Sequence, residues 1–346
     1  VLDSLESPVV GDLLGDGRPF ILLAGREPDR SLYVEAVSLT PDATGSTPLW
    51  RYVLPDSRQC GQYMQALYFV AGRFRGGPGL EVFAYSTKPG ARSLLLDGRT
   101  GELLWKRAEI PEIERHFQAM GGRVAVWDYD GDGEDDLLFC CPDFYCVADG
   151  RTAELLAGPV FFPKLTGRWS AYSSPAVLEQ DGQAMVYLGG AYESRASINP
   201  DGTASLWSEF LSTDTWGLCT EPGLRFGEGL LPPEEGRGWR VVQAQVDGRL
   251  ICFDAANGRH AWEMRLPAAP SAIVSGDVDH DGRTEFLFGG QDGGLYAYRD
   301  LGDRVELVWR LSLAGPVSTP LLADLDNDGL CEIAVGVGDG SLVVIG

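Results

Sequence analysis

Three short stretches of this chain carry an aspartate at every second position: Asp128, Asp130 and Asp132; Asp277, Asp279 and Asp281; Asp324, Asp326 and Asp328. Each run is followed at once by a glycine and, three residues after that, by a further acid: Asp136, Glu285 or Glu332. Alternation in a turn aims several carboxylates at one centre. The glycine permits the sharp reversal, and the last acid completes an oxygen shell. Calcium accepts about six to eight oxygens in flexible geometry, so this donor set suits it. Carboxylates gathered so closely repel one another unless a cation sits between them. The expected cofactor is therefore Ca2+, structural in role, at up to three sites. The plain alternative is a set of solvated acidic turns.

The last acid of each loop opens an apolar run, as in Glu285-Phe-Leu-Phe and Asp136-Leu-Leu-Phe. In an EF-hand it would come later, inside a helix. These loops must therefore join strand to strand. The surrounding unit recurs. From Ser271 the order is a short strand, the acidic loop, a strand at Glu285–Phe288, a strand at Leu295–Tyr298 and a last strand ending near Trp309. The same order appears from Gly122 and from Thr319, with weaker copies opening at Ser7, Ala66, Ser174 and Trp239. Tryptophans at 50, 105, 207, 262 and 309 mark last strands, and the third copy offers Phe161-Phe162 instead. In the weaker copies the acids are lost: Leu14 replaces the middle acid between Asp12 and Asp16, and Glu81 stands without its partners.

Such periodicity predicts an all-β, seven-bladed β-propeller of four-stranded blades, a single domain over 1–346. Its blades fall roughly at 7–62, 63–115, 116–168, 169–215, 216–268, 269–315 and 316–346 with 1–6. The final unit stops before its outer strand, so Val1–Leu5 is expected to supply it and close the ring. The acidic-loop units resemble FG-GAP or VCBS repeats. The units reading Asp97-Gly-Arg-Thr-Gly-Glu-Leu-Leu-Trp105 resemble PQQ-like repeats of quinoprotein-type propellers. The resemblance covers nearly the whole chain and implies a fold rather than an activity.

Composition narrows the partners. A formal charge of −22 disfavours nucleic acid, whose phosphates need a basic footprint. No apolar run is long enough for a membrane-spanning helix, so no membrane insertion is expected. A start at Val1 rather than Met is consistent with a leader already removed, and a secreted, periplasmic or cell-surface location is expected. The seven cysteines match no zinc spacing and read mostly as buried thiols. Cys140 and Cys146 flank a hairpin turn and are placed where they could pair.

In propellers the acidic loops lie on one face, and ligands usually use the other. The loops predicted for that second face are rich in cationic and aromatic residues: Arg58, Tyr63, Arg115, Tyr145, Arg168, Trp169 and Trp216. Arginine pairs with carboxylates or sulfates, and aromatic rings cover sugar faces. An anionic carbohydrate is thus the expected ligand, and a protein ligand in an adhesion or assembly scaffold is an alternative. A third reading rests on architectural similarity to seven-bladed ulvan-type polysaccharide lyases. β-Elimination from a uronate needs charge neutralisation, a base and an acid. Arg195 or Arg168 would neutralise, His116 would be the base, and Tyr172 or Tyr192 the acid or base. Of the three histidines, His260 lies on an outer-strand motif and His280 inside an acidic loop. Quinone-dependent dehydrogenase chemistry fits poorly, since those propellers generally have more blades and carry calcium at the cofactor.

Overall fold

The computed structural model describes residues 9–29, 31–38, 47–54, 67–86, 93–107, 123–140, 144–161, 176–180, 182–189, 194–198, 200, 205–210, 227–234, 236–244, 248–324 and 328–346. The chain divides into two compact units, Val1–Val177 with Pro200–Ala204, and Leu178–Asn199 with Ser205–Gly346.

The first unit holds three antiparallel four-stranded sheets. Blade 1 runs β1 (Val9–Gly11), β2 (Phe20–Arg26), β3 (Leu32–Ser38), β4 (Thr47–Val53). Blade 2 runs β5 (Leu67–Gly72), β6 (Glu81–Ser86), β7 (Ser93–Leu96), β8 (Leu103–Arg107). Blade 3 runs β9 (Arg123–Trp127), β10 (Asp136–Cys140), β11 (Phe144–Asp149), β12 (Leu155–Phe161). In each, strands that follow one another in sequence are hydrogen-bonded neighbours.

The other four sheets belong to the second unit, save that the first of them begins at Ala176 and Val177 of the first unit. Blade 4 is β13 (Ala176–Gln180), β14 (Gln183–Gly189), β15 (Ser194–Ile198) and β16 (Ser205–Phe210). Blade 5 is β17 (Gly227–Leu231), β18 (Arg240–Ala244), β19 (Arg249–Asp254) and β20 (His260–Arg265). Blade 6 is β21 (Val274–Gly276), β22 (Glu285–Gly289), β23 (Gly294–Asp300) and β24 (Val305–Ser312). Blade 7 has three described strands, β25 (Leu321–Ala323), β26 (Glu332–Gly336) and β27 (Leu342–Ile345). The segment expected to complete it, Val1–Leu5, lies outside the described residues.

Sequence and burial agree strand by strand. Second strands are continuous apolar runs because sheet packs on them from both faces. All five residues of β22 are buried. The outer strand β24 (Val-Glu-Leu-Val-Trp-Arg-Leu-Ser) is exposed or half-buried at every position. Six sheets share a register shift between their third and fourth strands, at Ala36/Val37, Leu95/Leu96, Val147/Ala148, Ser197/Ile198, Cys252/Phe253 and Ala297/Tyr298. Such bulges increase local twist, which blades need at their outer edge.

Adjacent blades share apolar layers. Leu22, Val34 and Trp50 of blade 1 pack with Phe69, Val82 and Leu94 of blade 2. Phe83 and Leu95 of blade 2 pack with Val124, Leu137 and Phe139 of blade 3. In the second unit, Val242, Cys252 and Trp262 of blade 5 pack with Phe286 and Phe288 of blade 6. The outer-strand tryptophans add a polar link. Trp50 Nε1 donates to the Gly98 carbonyl at 2.7 Å, and Trp262 Nε1 to Asp300 Oδ1 at 2.9 Å. Gly101 leaves room for the ring of Trp50, since a Cβ there would lie 2.7 Å from its Cδ2.

Two details differ from the sequence reading. The third strand of blade 6 runs on past Tyr298 to Asp300, and its fourth runs past Trp309 to Ser312. Cys146 forms no disulfide and is fully buried in β11. Among the described residues no helix is long and apolar enough to cross a membrane.

Candidate metal centre

The acidic loops join the first and second strands of blades 3, 6 and 7. Their shape comes from hydrogen bonds that the chain makes to its own carboxylates. In blade 3, Asp128 Oδ1 accepts from Gly131 N at 2.8 Å and Oδ2 from Gly133 N at 3.0 Å. Asp277 accepts likewise from Asp281 N and Gly282 N, and Asp324 from Asp328 N and Gly329 N. The glycine after the third aspartate has φ of 87° at Gly133, 83° at Gly282 and 90° at Gly329. That left-handed region is costly for a residue with a Cβ. The last acid ties down the other end: Asp136 Oδ2 accepts from Tyr129 N at 3.0 Å, and Glu285 Oε2 from Val278 N at 3.2 Å.

Two sets of carboxylates converge. Asp128, Asp130 and Asp136 in blade 3 bring ligand atoms all within 4.8 Å of one another, as do Asp277, Asp279 and Glu285 in blade 6. Both sets gather all-oxygen donors of the kind a hard divalent cation takes, and what stands beside each decides whether an ion can enter. In blade 7, Asp324, Asp328 and Glu332 are described, while Asp326 lies outside the described residues. Asp132 and Asp281 sit at the solvent side, each accepting the N–H two residues on, at Glu134 and Arg283.

The two described clusters differ in what stands beside them. In blade 3 the residue paired across the sheet from Asp136 is Asp149. Burial pushes the Asp136 carboxyl up to about 6, against the Tyr129 N–H bond, and the charges of Asp130 and Asp149 add to the rise. Among the described residues no Lys or Arg forms an ion pair with Asp128, Asp130, Asp132 or Asp136. The nearby pair Arg151–Glu134, at 3.2 Å, lies at the rim. The donor set here fits a divalent cation.

In blade 6 the residue paired across from Glu285 is Arg299. Its Nη2 lies 2.5 Å from Glu285 Oε1, 3.0 Å from Asp279 Oδ2 and 2.9 Å from Asp281 Oδ2, and its Nε donates to Glu285 at 2.7 Å. The Glu285 side chain is fully buried. Burial raises its pKa, opposed by the Arg299 hydrogen bonds. Burial disfavours the Arg299 charge, yet its bonds to Glu285 and the charges of Asp281 and Asp279 raise its pKa overall.

The weaker loops keep the shape without the acids. Asp12 accepts from Gly15 N and Gly17 N, but Phe20 holds the place of the last acid. Glu81 of blade 2 accepts from Phe74 N at 2.9 Å, with Arg73 where the first aspartate would be. Burial raises the Glu81 pKa.

Of the residues expected on the ligand face, Arg58, Tyr63, Arg115, His116, Arg168, Trp169, Tyr172, Tyr192 and Trp216 lie outside the described residues. Arg195 is described as backbone in β15, paired with Gly189 and Glu209. Tyr145 is in strand β11, its side chain fully buried, rather than on an open loop. Arg299 is the residue the sequence reading passed over. Its signal was the repeat itself, in which the position facing the last acid is Asp149 in one copy and Arg299 in another.

Comparison with known proteins agrees with this architecture. A family described as FG-GAP-like repeat matches residues 277–335, the two acidic-loop units of blades 6 and 7. No curated protein matches the chain. Among solved structures, BBS1N in complex with ARL6DN is similar at 13% identity, covering 97% of this chain and 90% of that one, with a TM-score of 0.65. Sqt1 of Saccharomyces cerevisiae is similar at 12% identity, covering 94% and 80%, with a TM-score of 0.62. The Dos1 propeller is similar at 10% identity, covering 94% and 75%, with a TM-score of 0.59. At such identities the likeness concerns the fold, and the fold is that of a β-propeller.

Proposed function

We propose that this chain is a calcium-stabilised propeller that works as a binding module. The observation that carries the calcium half is the blade 3 cluster. Three carboxylates converge there, one of them buried, and the residue across the sheet is another aspartate. Like charges directly opposite are destabilising. A divalent ion removes that repulsion at Asp128, Asp130 and Asp136 while bracing the turn between β9 and β10. The acids lie in the turn between β9 and β10 and brace it, so the role proposed for the ion is structural.

The ligand proposed is an anionic carbohydrate, bound on the face opposite the acidic loops. The support is the concentration of Arg and aromatic residues in the intervening loops of a chain whose formal charge is −22. A secreted, periplasmic or cell-surface location goes with this reading. A protein ligand is the second reading, favoured by one similar structure, BBS1N, having been solved in complex with another protein.

Calorimetric melting in calcium and in chelator tests the first half. Calcium should raise the melting temperature, and Asp130→Asn should remove most of that rise. An identical melt in both buffers sinks the structural-ion reading. For the ligand, retention on immobilised uronate or sulfated polymers is expected, with no rise in absorbance near 235 nm. Appearance of that absorbance would instead identify a lyase.

A further inference from the structure

The acids of blade 6 follow the same spacing as those of blade 3, yet their centre is taken by a side chain. One nitrogen of Arg299 stands within 3.0 Å of oxygens from Asp279, Asp281 and Glu285. Calcium binds oxygen at about 2.3–2.6 Å. An ion bridging Asp279 Oδ2 and Glu285 Oε1 would therefore compete with that nitrogen for the same two oxygens. It would also meet a guanidinium that stays charged at any ordinary pH. The residues of blade 6 do not fit a metal while Arg299 is in place.

Moving the side chain away is costly. Arg299 is the partner of a carboxylate with no exposed surface, and its own side chain is only 13% exposed. It is fixed from both ends, since β23 is a central strand paired with β22 and β24. Buried carboxylates of this kind need a lasting partner.

We propose that Arg299 is a tethered counter-ion that replaces the metal in blade 6, so that of the two described clusters only blade 3 takes a divalent cation. The contrast rests on reading blade 3 as a calcium site, but the Arg299 part stands on its own geometry. The loop of blade 6 is thereby held closed without calcium, and of the two described clusters only that of blade 3 depends on the ion.

Calcium stoichiometry by isothermal titration, on the full chain and its variants, tests this. Asp279→Asn should leave the number of bound calcium ions unchanged. Arg299→Gln should add a further equivalent, which Arg299→Gln combined with Asp279→Asn should lose again. Arg299→Lys, which keeps the charge, should add none. A loss of an equivalent in Asp279→Asn, or no gain in Arg299→Gln with its fold verified by circular dichroism, overturns the proposal. If Arg299→Gln is unfolded in chelator, recovery of its fold by calcium supports the proposal, and failure to recover counts against it. Asp130→Asn separates the two readings. An unchanged stoichiometry there defeats the blade 3 site and leaves Arg299 to be judged by its own variants.

Discussion

Blades 3 and 6 present the same turn with opposite solutions to the same electrostatic problem. Both converge three carboxylates, both bury the last one, and both tie it to the backbone N–H of the residue after the first aspartate. They part at the position across the sheet, where blade 3 has Asp149 and blade 6 has Arg299. A strand register therefore decides what neutralises a loop. The loop motif says that a cation is wanted, and the facing strand says whether the chain brings its own.

The sharpest way to break this comparison is to remove the tether. Arg299→Met leaves Glu285 buried without its cation, and removing one partner of a buried pair costs about 3–5 kcal/mol. Urea unfolding in chelator should show that loss, with calcium restoring part of it. Next in size is the transplant. Asp149→Arg should put a tether into blade 3 and abolish the calcium-dependent rise in melting temperature. At calcium about 100-fold above the dissociation constant that rise corresponds to roughly 2.7 kcal/mol, and a rise that persists in the variant would show that the facing position is not decisive.

Acidity should separate the blades as well. Folding raises the Asp136 carboxyl to about 6. Without calcium, its contribution to stability is full below the ordinary carboxylate value of about 4 and is lost as pH rises through about 6. With calcium the sign reverses, because protons and the ion compete for the same oxygens. Melting temperatures with and without calcium should thus diverge as pH rises through that window, and Asp136→Asn should flatten the divergence. The smallest effect concerns the turn itself. His280 holds φ of 60° where blade 3 has Gly131 at 78°. His280→Gly should stabilise by up to about 1 kcal/mol by relieving that strain, measured by chemical denaturation; a destabilised variant would mean that the imidazole makes a compensating contact.

Much of this architecture was legible because it is written locally. The apolar second strands, the outer-strand tryptophans and the glycine at the turn each act within a few residues, and each recurs from copy to copy. Glu285, Asp136 and Glu332 begin strands as their apolar followers indicated. Arg299 was harder to read. Its role depends on pairing across two strands and on burial of its partner, neither of which a linear spacing states. Tyr145 shows the opposite case. Two positions beyond a loop, it reads as a ligand contact, yet the pleat turns its ring wholly into the core.

The self-made hydrogen bonds of these turns carry an evolutionary consequence. Because Asp12, Asp128, Asp277 and Asp324 hold their loops through backbone N–H groups, the turn survives when other acids change. Blade 1 shows this with Leu14 and Phe20 in place of acids, and blade 2 keeps Glu81 bonded to Phe74 with no aspartate at all at the start. The turn is thus set by its first aspartate or its last acid, while the choice between a bound ion and an internal cation is left to other positions.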